Sequence, residues 1–358
     1  MKRFFLYIIL ISFVFNGIAD AEPSRPDIAA RAAIVIDLDK NEVIYSKNPD
    51  EKLLPASTAK LATALVAFEN AGLDNIAFVS SKAAATPSSR INLQRGDILT
   101  RGSLLKAALL ASANDASVAL AENIAPTEQE FVKRMNLMAA KAGAINSKFV
   151  NSHGLPLKGQ YTTVRDLSII VKRCITYPRF TDIMKKADEK IKIYHPQDGA
   201  MPADINKFLL ANRSTMAVKE VKLKTKNRFL WQYPGMVIGK TGFTKAAGHC
   251  YAGYAVYGGK RVIVALLKSK KPVWADLNRL LDYAFGLNTV LLDPNNNIVR
   301  DTRNIQILLK KAGFNPGPID GIKGPKTRAA IRKFQGQNNL KPTGVVDGKA
   351  WKKLKRFF

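Results

Sequence analysis

Apolar and polar positions change rhythm three times along the chain. Residues 33–37 and 42–46 are short runs rich in β-branched side chains, separated by the turn formers Asp39-Lys40-Asn41, a pattern that predicts a β-hairpin. From Ser57, just after Pro55, good helix formers continue to about Glu69. Helical patterns recur from Ser103 to Leu120, from Phe131 to Ala142 and from Thr163 to about Ile175. The first of these reads as one continuous helix with Ser103 as a helix-start residue. Strand character returns at residues 236–241, 251–257 and 261–267, with Gly258-Gly259 as the turn between the last two. A helix from about Pro272 to Phe285 follows, with Trp274, Leu277, Leu281 and Phe285 at helical spacing. Strands at both ends and helices between them predict an α+β fold, an α/β sandwich with one mostly antiparallel sheet assembled from distant stretches and a helical subdomain. Residues 185–226 are basic and irregular and yield no assignment.

The two ends differ from this body. Lys2 and Arg3 precede an apolar run over residues 4–15, and Ala19-Asp20-Ala21 offers a small-x-small cleavage site, so residues 1–21 read as a secretory signal peptide. The run is short for a membrane span. At the other end, Asp293-Pro294-Asn295-Asn296-Asn297 is a string of turn residues marking a linker. Beyond it, Ile305, Leu308 and Leu309 form one helical stripe, Pro325 opens a second helix carrying Ala329 and Phe334, and Trp351 with Leu354 lies on a third. The expected division is a signal peptide at 1–21, a main domain at 22–290, a linker at 291–302 and a small three-helix domain at 303–358.

Charge narrows the setting. The 358 residues hold 56 Lys and Arg against 28 Asp and Glu, a formal net charge of +28. Residues 301–358 alone carry 14 basic and 3 acidic side chains. Such an excess attracts polyanions, and the export signal favours an anionic envelope surface over nucleic acid. Cys174 and Cys250 have no partner defined by spacing and are read as unbridged. No C-x-x-C or H-E-x-x-H is present and the three histidines are scattered, so neither a metal nor a cofactor is expected.

Three short motifs carry chemistry, and their order matters more than any one of them. Ser57-Thr58-Ala59-Lys60 is S-x-x-K, Ser112-Ala113-Asn114 is S-x-N and Lys240-Thr241-Gly242 is K-T-G. A serine hydroxyl needs a neighbour to take its proton before it attacks. Residues three apart on a helix share a face, so Lys60 can stand over Ser57 and act as that base if it is uncharged. A second cation such as Lys240 lowers its pKa. Ser112 can relay the proton to a leaving amine, Asn114 can fix the lysine and bind a substrate amide, and Lys240 with Thr241 can hold a substrate carboxylate. The backbone N–H groups of Ser57 and Phe243, just past Gly242, can form an oxyanion site. S-x-x-K and S-x-N each occur a second time, at Ser103 to Lys106 and Ser46 to Asn48, whereas K-T-G occurs once. Gaps of 55 and 128 residues separate Ser57, Ser112 and Lys240, enough for different elements to converge.

The surroundings of these motifs closely resemble the low-molecular-mass penicillin-binding D-alanyl-D-alanine carboxypeptidases. The resemblance runs over roughly residues 28–285 through Leu54 to Leu61, Gly96-Asp97, Ala111 to Ala116, Phe149 to Leu155, Thr163 to Leu167, Asn227 to Trp231 and Lys240 to Thr244. It implies the serine β-lactamase and penicillin-binding transpeptidase-like fold, acylation of Ser57 by β-lactams, and trimming of peptidoglycan stem peptides in the periplasm or at the cell wall. Catalytic roles would fall to Ser57, Lys60 and Ser112, and substrate binding to Asn114, Lys240, Thr241, Gly242 and Phe243. In relatives a basic residue before the Asn227 segment meets the substrate carboxylate, a place that Lys226 or Arg228 can fill. Departures are Ala113 where Gly is usual and Phe243 where His is common. The alternatives are a D,D-endopeptidase cutting cross-links, a β-lactamase, which the lack of an E-x-x-L-N stretch disfavours, and a non-catalytic wall-binding protein. His153 reads as structural and Asp166 as a helix-start charge. The tail, with Gly313-Phe314, Ile319-Asp320-Gly321, Gly324 to Thr327, Phe334-Gln335, Gly344 to Asp347 and Trp351, resembles the small peptidoglycan-binding module and implies binding to wall glycan.

Overall fold

The front hairpin forms from β1 (Ala30–Asp37) and β2 (Glu42–Lys47), antiparallel with Ile34 opposite Ser46. The computed structural model describes residues 25–358 except 70–71, 88, 197–216, 271, 288–297, 299 and 320. The expected signal peptide and most of the expected linker therefore lie outside the described residues. Next come β3 (Ile76–Phe78), β4 (Ile98–Thr100), β5 (Asp188–His195) and β6 (Ala217–Lys224), then β7 (Met236–Thr244), β8 (Gly248–Tyr257) and β9 (Lys260–Ser269). One sheet has the order β2-β1-β9-β8-β7, every pair antiparallel, so chain stretches more than 200 residues apart meet where Ala33 lies opposite Leu266.

The central strand β9 explains itself. Val262, Val264 and Leu266 enter one core with Leu277, Leu280 and Leu281 of the helix Trp274–Phe285. Ile263, Ala265 and Leu267 enter the other, with Leu167, Ile170 and Val171 of the helix Val164–Cys174. A strand covered on both faces reads as a continuous apolar run because alternation has nothing polar to alternate with. Both cysteines are buried and free.

Two expectations needed correction. The unassigned basic stretch supplies β5 and β6 of a second sheet, ordered β3-β4-β5-β6. Each strand buries few side chains, Ile191 and Ile193 on β5 and Leu223 on β6, so the period of two was too faint to register. The helix expected to run unbroken from Ser103 is three pieces: Arg101–Lys106, a π-helical turn Ala107–Ala111, and Asn114–Ile124. Ser112 between them sits in the left-handed region at φ 62°. Ser103 is not the cap either; its backbone N–H donates to Thr100 Oγ1 at 3.1 Å, so Thr100 starts the helix.

Helices Thr302–Lys311, Pro325–Gln337 and Gly348–Leu354 enclose a third core of Leu308, Leu309, Ile331, Phe334 and Leu354. Asp301 and Asp347 cap two of them through the N–H groups of Asn304 and Ala350, both at 2.7 Å. Arg303 of the first helix pairs with Asp282 of the helix Trp274–Phe285, and both side chains are buried.

Candidate active site

Pro55 and Ala56 lead into a 3₁₀ turn, Ala56–Ala59, that continues directly as the α-helix Lys60–Glu69. In a 3₁₀ turn residues three apart eclipse one another. Lys60 thus stands over Ser57, with Nζ 3.0 Å from the Ser57 hydroxyl oxygen. Ser57 is half-buried, whereas Lys60 has 0% exposure. The same Nζ lies 2.7 Å from Asn114 Oδ1 and 2.8 Å from the His153 carbonyl oxygen. Asn114 Nδ2 donates to the Pro87 carbonyl at 2.9 Å, which fixes the amide with its oxygen toward Lys60.

Lys240, on β7, donates from Nζ to Ser112 Oγ at 2.9 Å and to the Thr241 carbonyl at 2.8 Å. Ser112 reaches it because of the break described above; a continuous helix would turn the hydroxyl elsewhere. Left-handed backbone at a non-glycine residue costs about 1–3 kcal/mol and persists only where the surroundings hold it. Here Ala113 N–H donates to Ala107 O at 3.1 Å, and Asn114 N–H to Ser89 O at 2.6 Å. Buried Asp115 accepts the N–H groups of Ile91 and Leu93, each at 3.1 Å, so the loop carrying Pro87 and Ser89 is pinned to the helix beneath it.

Two glycines permit the convergence. A Cβ at Gly242 would lie 2.9 Å from the Ser57 backbone nitrogen, so β7 approaches the Ser57 turn as closely as a backbone can. A Cβ at Gly154, where φ is +89°, would lie 1.8 Å from the Ala56 carbonyl oxygen. That contact brings the His153 carbonyl to Lys60.

Burial, reinforced by the Lys240 charge, pushes the Lys60 pKa well below its ordinary value, with Asp115 opposing weakly. The second cation expected to lower it is thus present, but desolvation is the larger cause. Lys240 is lowered to about 7, first by burial and then by Lys226. Of the two basic residues considered near Asn227, Lys226 is the one whose charge reaches the site; the Arg228 guanidinium lies over the Trp274 ring, 5.3 Å from its centroid. Burial and the Lys60 charge hold the His153 imidazole down to about 4, so it is neutral near pH 7 and contributes its carbonyl instead.

Ser57, Lys60 and Asn114 are therefore joined by hydrogen bonds into one group and Ser112 and Lys240 into a second, the Lys240 charge is felt at Lys60, and Thr241 and Gly242 lie beside Lys240 on β7. Phe243 is 57% exposed and its ring lies against His249. The sequence did not point to the His153 carbonyl, because every residue carries one. Asp166 is the buried third residue of its helix and accepts from the Ser147 hydroxyl at 2.7 Å. Among the described residues no cluster of His, Cys, Asp or Glu could hold a metal ion.

A five-stranded antiparallel sheet flanked by helices, with a serine and two buried lysines beside its edge strand β7, defines the penicillin-binding DD-transpeptidase fold. Solved structures agree: the Streptomyces K15 DD-transpeptidase is 26% identical with TM-score 0.65, over 74% of this chain and all of that one. Penicillin-binding protein D2 of Listeria monocytogenes, in its ampicillin-bound form, is 27% identical with TM-score 0.58, over 72% of this chain and 98% of that one. Residues 19–271 match the D-alanyl-D-alanine carboxypeptidase family, and the chain belongs to it. Residues 300–354 match the peptidoglycan binding domain family. Among curated relatives, the D-alanyl-D-alanine carboxypeptidase DacF of Bacillus subtilis is 32% identical over 78% of this chain and 69% of its own length. The D-alanyl-D-alanine endopeptidase of Escherichia coli is 29% identical over 72% of this chain and 77% of its own.

Proposed function

We propose that this serine-type D-alanyl-D-alanine carboxypeptidase is exported, trims peptidoglycan stem peptides through an acyl-enzyme on Ser57, and is held to the wall by its C-terminal three-helix unit. The observation that carries the catalytic assignment is the partner set of Lys60 Nζ. A neutral amine has two hydrogens and one lone pair. Asn114 Oδ1 and the His153 carbonyl accept the two hydrogens, leaving the lone pair for the Ser57 hydroxyl to donate into.

Ser57 Oγ attacks the carbonyl of the penultimate D-alanine as Lys60 takes its proton. The N–H groups of Ser57 and Phe243 stabilise the oxyanion. Charged Lys240 and Thr241 hold the terminal carboxylate. The proton taken by Lys60 is relayed through Ser112 to the departing amine, free D-alanine leaves, and water, giving up a proton to neutral Lys60, hydrolyses the ester to regenerate the hydroxyl. A β-lactam acylates Ser57 by the same attack, with the ring amide opened and its nitrogen retained in the adduct.

The basic excess supports envelope binding, and the apolar run at 4–15 supports export to the periplasm or wall. A second reading, cleavage of cross-links, is favoured by the likeness to an endopeptidase. Product chromatography tests both. D-Alanine released from a pentapeptide supports trimming; resolution of a cross-linked dimer into monomers, with no D-alanine from the pentapeptide, would replace it with the endopeptidase reading.

A further inference from the structure

The C-terminal unit carries a cleft of about 570 Å³ between the exit of the helix Thr302–Lys311 and one face of the helix Pro325–Gln337. That volume is within the range of small-ligand sites. Lys326, Ala330, Lys333 and Gln337 line the cleft along one helical stripe, with Ala329 beside them and Phe314 opposite. The apolar part of its floor is Ala330, which is buried, with Phe314 and Ala329, which are half-buried; the exposed Asn315 and Gln337 line the cleft as well. Two exposed ammonium groups stand over that floor. Among the described residues neither is paired with a carboxylate. The Lys326 stem is seated as well. A Cβ at Gly317, where φ is +81°, would lie 3.1 Å from Lys326 Cβ and 3.2 Å from its Cδ, so the chain lies across bare backbone.

We infer that this cleft binds the stem peptide of peptidoglycan, with alanine methyl groups on the Phe314 and alanine floor and carboxylates on Lys326 and Lys333. The lysines are seven positions apart on the helix, roughly 10 Å along the axis. An extended peptide covers that distance in about three residues. The match is to an alanine-rich peptide with carboxylates about three residues apart. A bare phosphate polymer would satisfy the cations but leave the apolar floor without a partner. The inference rests on the reading that this unit anchors the enzyme to the wall, and makes that anchoring a recognition of the same chemical group the catalytic site consumes.

The test uses full-length Ser57→Ala protein, which cannot turn over its ligand, in sedimentation with purified wall. Four preparations are compared: the Ser57→Ala parent, the parent with Lys326→Ala and Lys333→Ala, the parent with the off-cleft pair Lys341→Ala and Lys352→Ala, and the parent on wall whose stems an amidase has removed. The expected result is at least tenfold weaker binding for the cleft pair and for stripped wall, and little change for the control pair, which removes the same charge. Equal losses from both lysine pairs, or none from the cleft pair, overturns the site. Undiminished binding to stripped wall overturns the stem as ligand. A parent that does not sediment with wall overturns the anchoring reading itself, and this inference with it.

Discussion

Lys60 Nζ meets two oxygens that can only accept, Asn114 Oδ1 and the His153 carbonyl, and one hydroxyl that can do either. Its 0% exposure removes the water that would otherwise solvate a charge. In the proposed mechanism Lys240 poses the opposite case, since a group that is to bind a carboxylate must be charged. Free, it is held to about 7; a bound carboxylate raises it again. Binding of a D-alanyl-D-alanine peptide to Ser57→Ala protein at pH 8 should therefore take up protons. Titration calorimetry in buffers of different protonation enthalpy reads this directly, and equal heats would contradict it. The linkage to stability has a definite sign. Between about 7 and its ordinary 10.5, Lys240 binds fewer protons folded than unfolded, so its contribution to stability rises with pH across that window. Glu128 acts on the site through backbone. Its Oε1 accepts from Ser152 N–H at 3.0 Å and Oγ–H at 2.8 Å, and Oε2 pairs with Lys82 at 2.7 Å, which fixes the turn presenting the His153 carbonyl. Glu128→Ala should lower kcat by about 10- to 100-fold, while Glu128→Gln, which keeps an acceptor for Ser152, should retain most activity; equal rates for both would remove Glu128 from the account. The motifs at Ser57, Ser112 and Lys240 were legible because each is a short run of polar side chains at a recognisable spacing. The His153 carbonyl and the Glu128 clamp were not, because backbone acceptors and a helix-start carboxylate look alike wherever they occur.

Several of those side chains are delivered where the backbone departs from regularity. The 3₁₀ turn aligns Ser57 with Lys60, the π turn and left-handed Ser112 bring a hydroxyl to Lys240, and Gly154 lets one loop rest on Ala56. Gly154→Ala places a methyl within the van der Waals radius of a carbonyl oxygen at positive φ. A loss of about 2–4 kcal/mol in urea unfolding is expected from overpacking and backbone strain together, with penicillin labelling slowed in the folded fraction. Unchanged stability and labelling would show that the loop is not constrained as described. The hairpin, β7 to β9 and most helices were readable because their apolar periods were long or continuous. The break at Ser112 was invisible: residues 104–111 are strong helix formers throughout, and packing decided where the helix stops. β5 and β6 were hidden by charged side chains on most of their exposed positions.

At the scale of the molecule, the sheet closes with β1 beside β9, so the fold is complete only when both ends of the main unit are present. The three-helix unit is tied to that body through charge. Asp282 accepts from Tyr233 O–H and Asn278 Nδ2, each at 3.0 Å, as well as from Arg303. Removing one member of a buried pair leaves the other uncompensated, a cost of about 3–5 kcal/mol. Arg303→Met should therefore lower stability by about that amount in chemical unfolding, and Arg303→Met with Asp282→Leu should recover part of it. No loss in the single variant would mean the two units are not joined this way. The composition foretold the basic surface and the separate core of the tail, but not this contact, which depends on one arginine among 56 basic residues.

The claim on which the rest depends is that uncharged Lys60 takes the proton of Ser57. Intact-mass kinetics with benzylpenicillin at pH 7 tests it most directly, comparing wild type with Lys60→Met after both are shown to be folded by their unfolding transitions. The account predicts an adduct on wild type that maps to Ser57, forming about 10²- to 10⁴-fold more slowly in the variant. Acylation of folded Lys60→Met at the wild-type rate, or a wild-type adduct on any other residue, would contradict it.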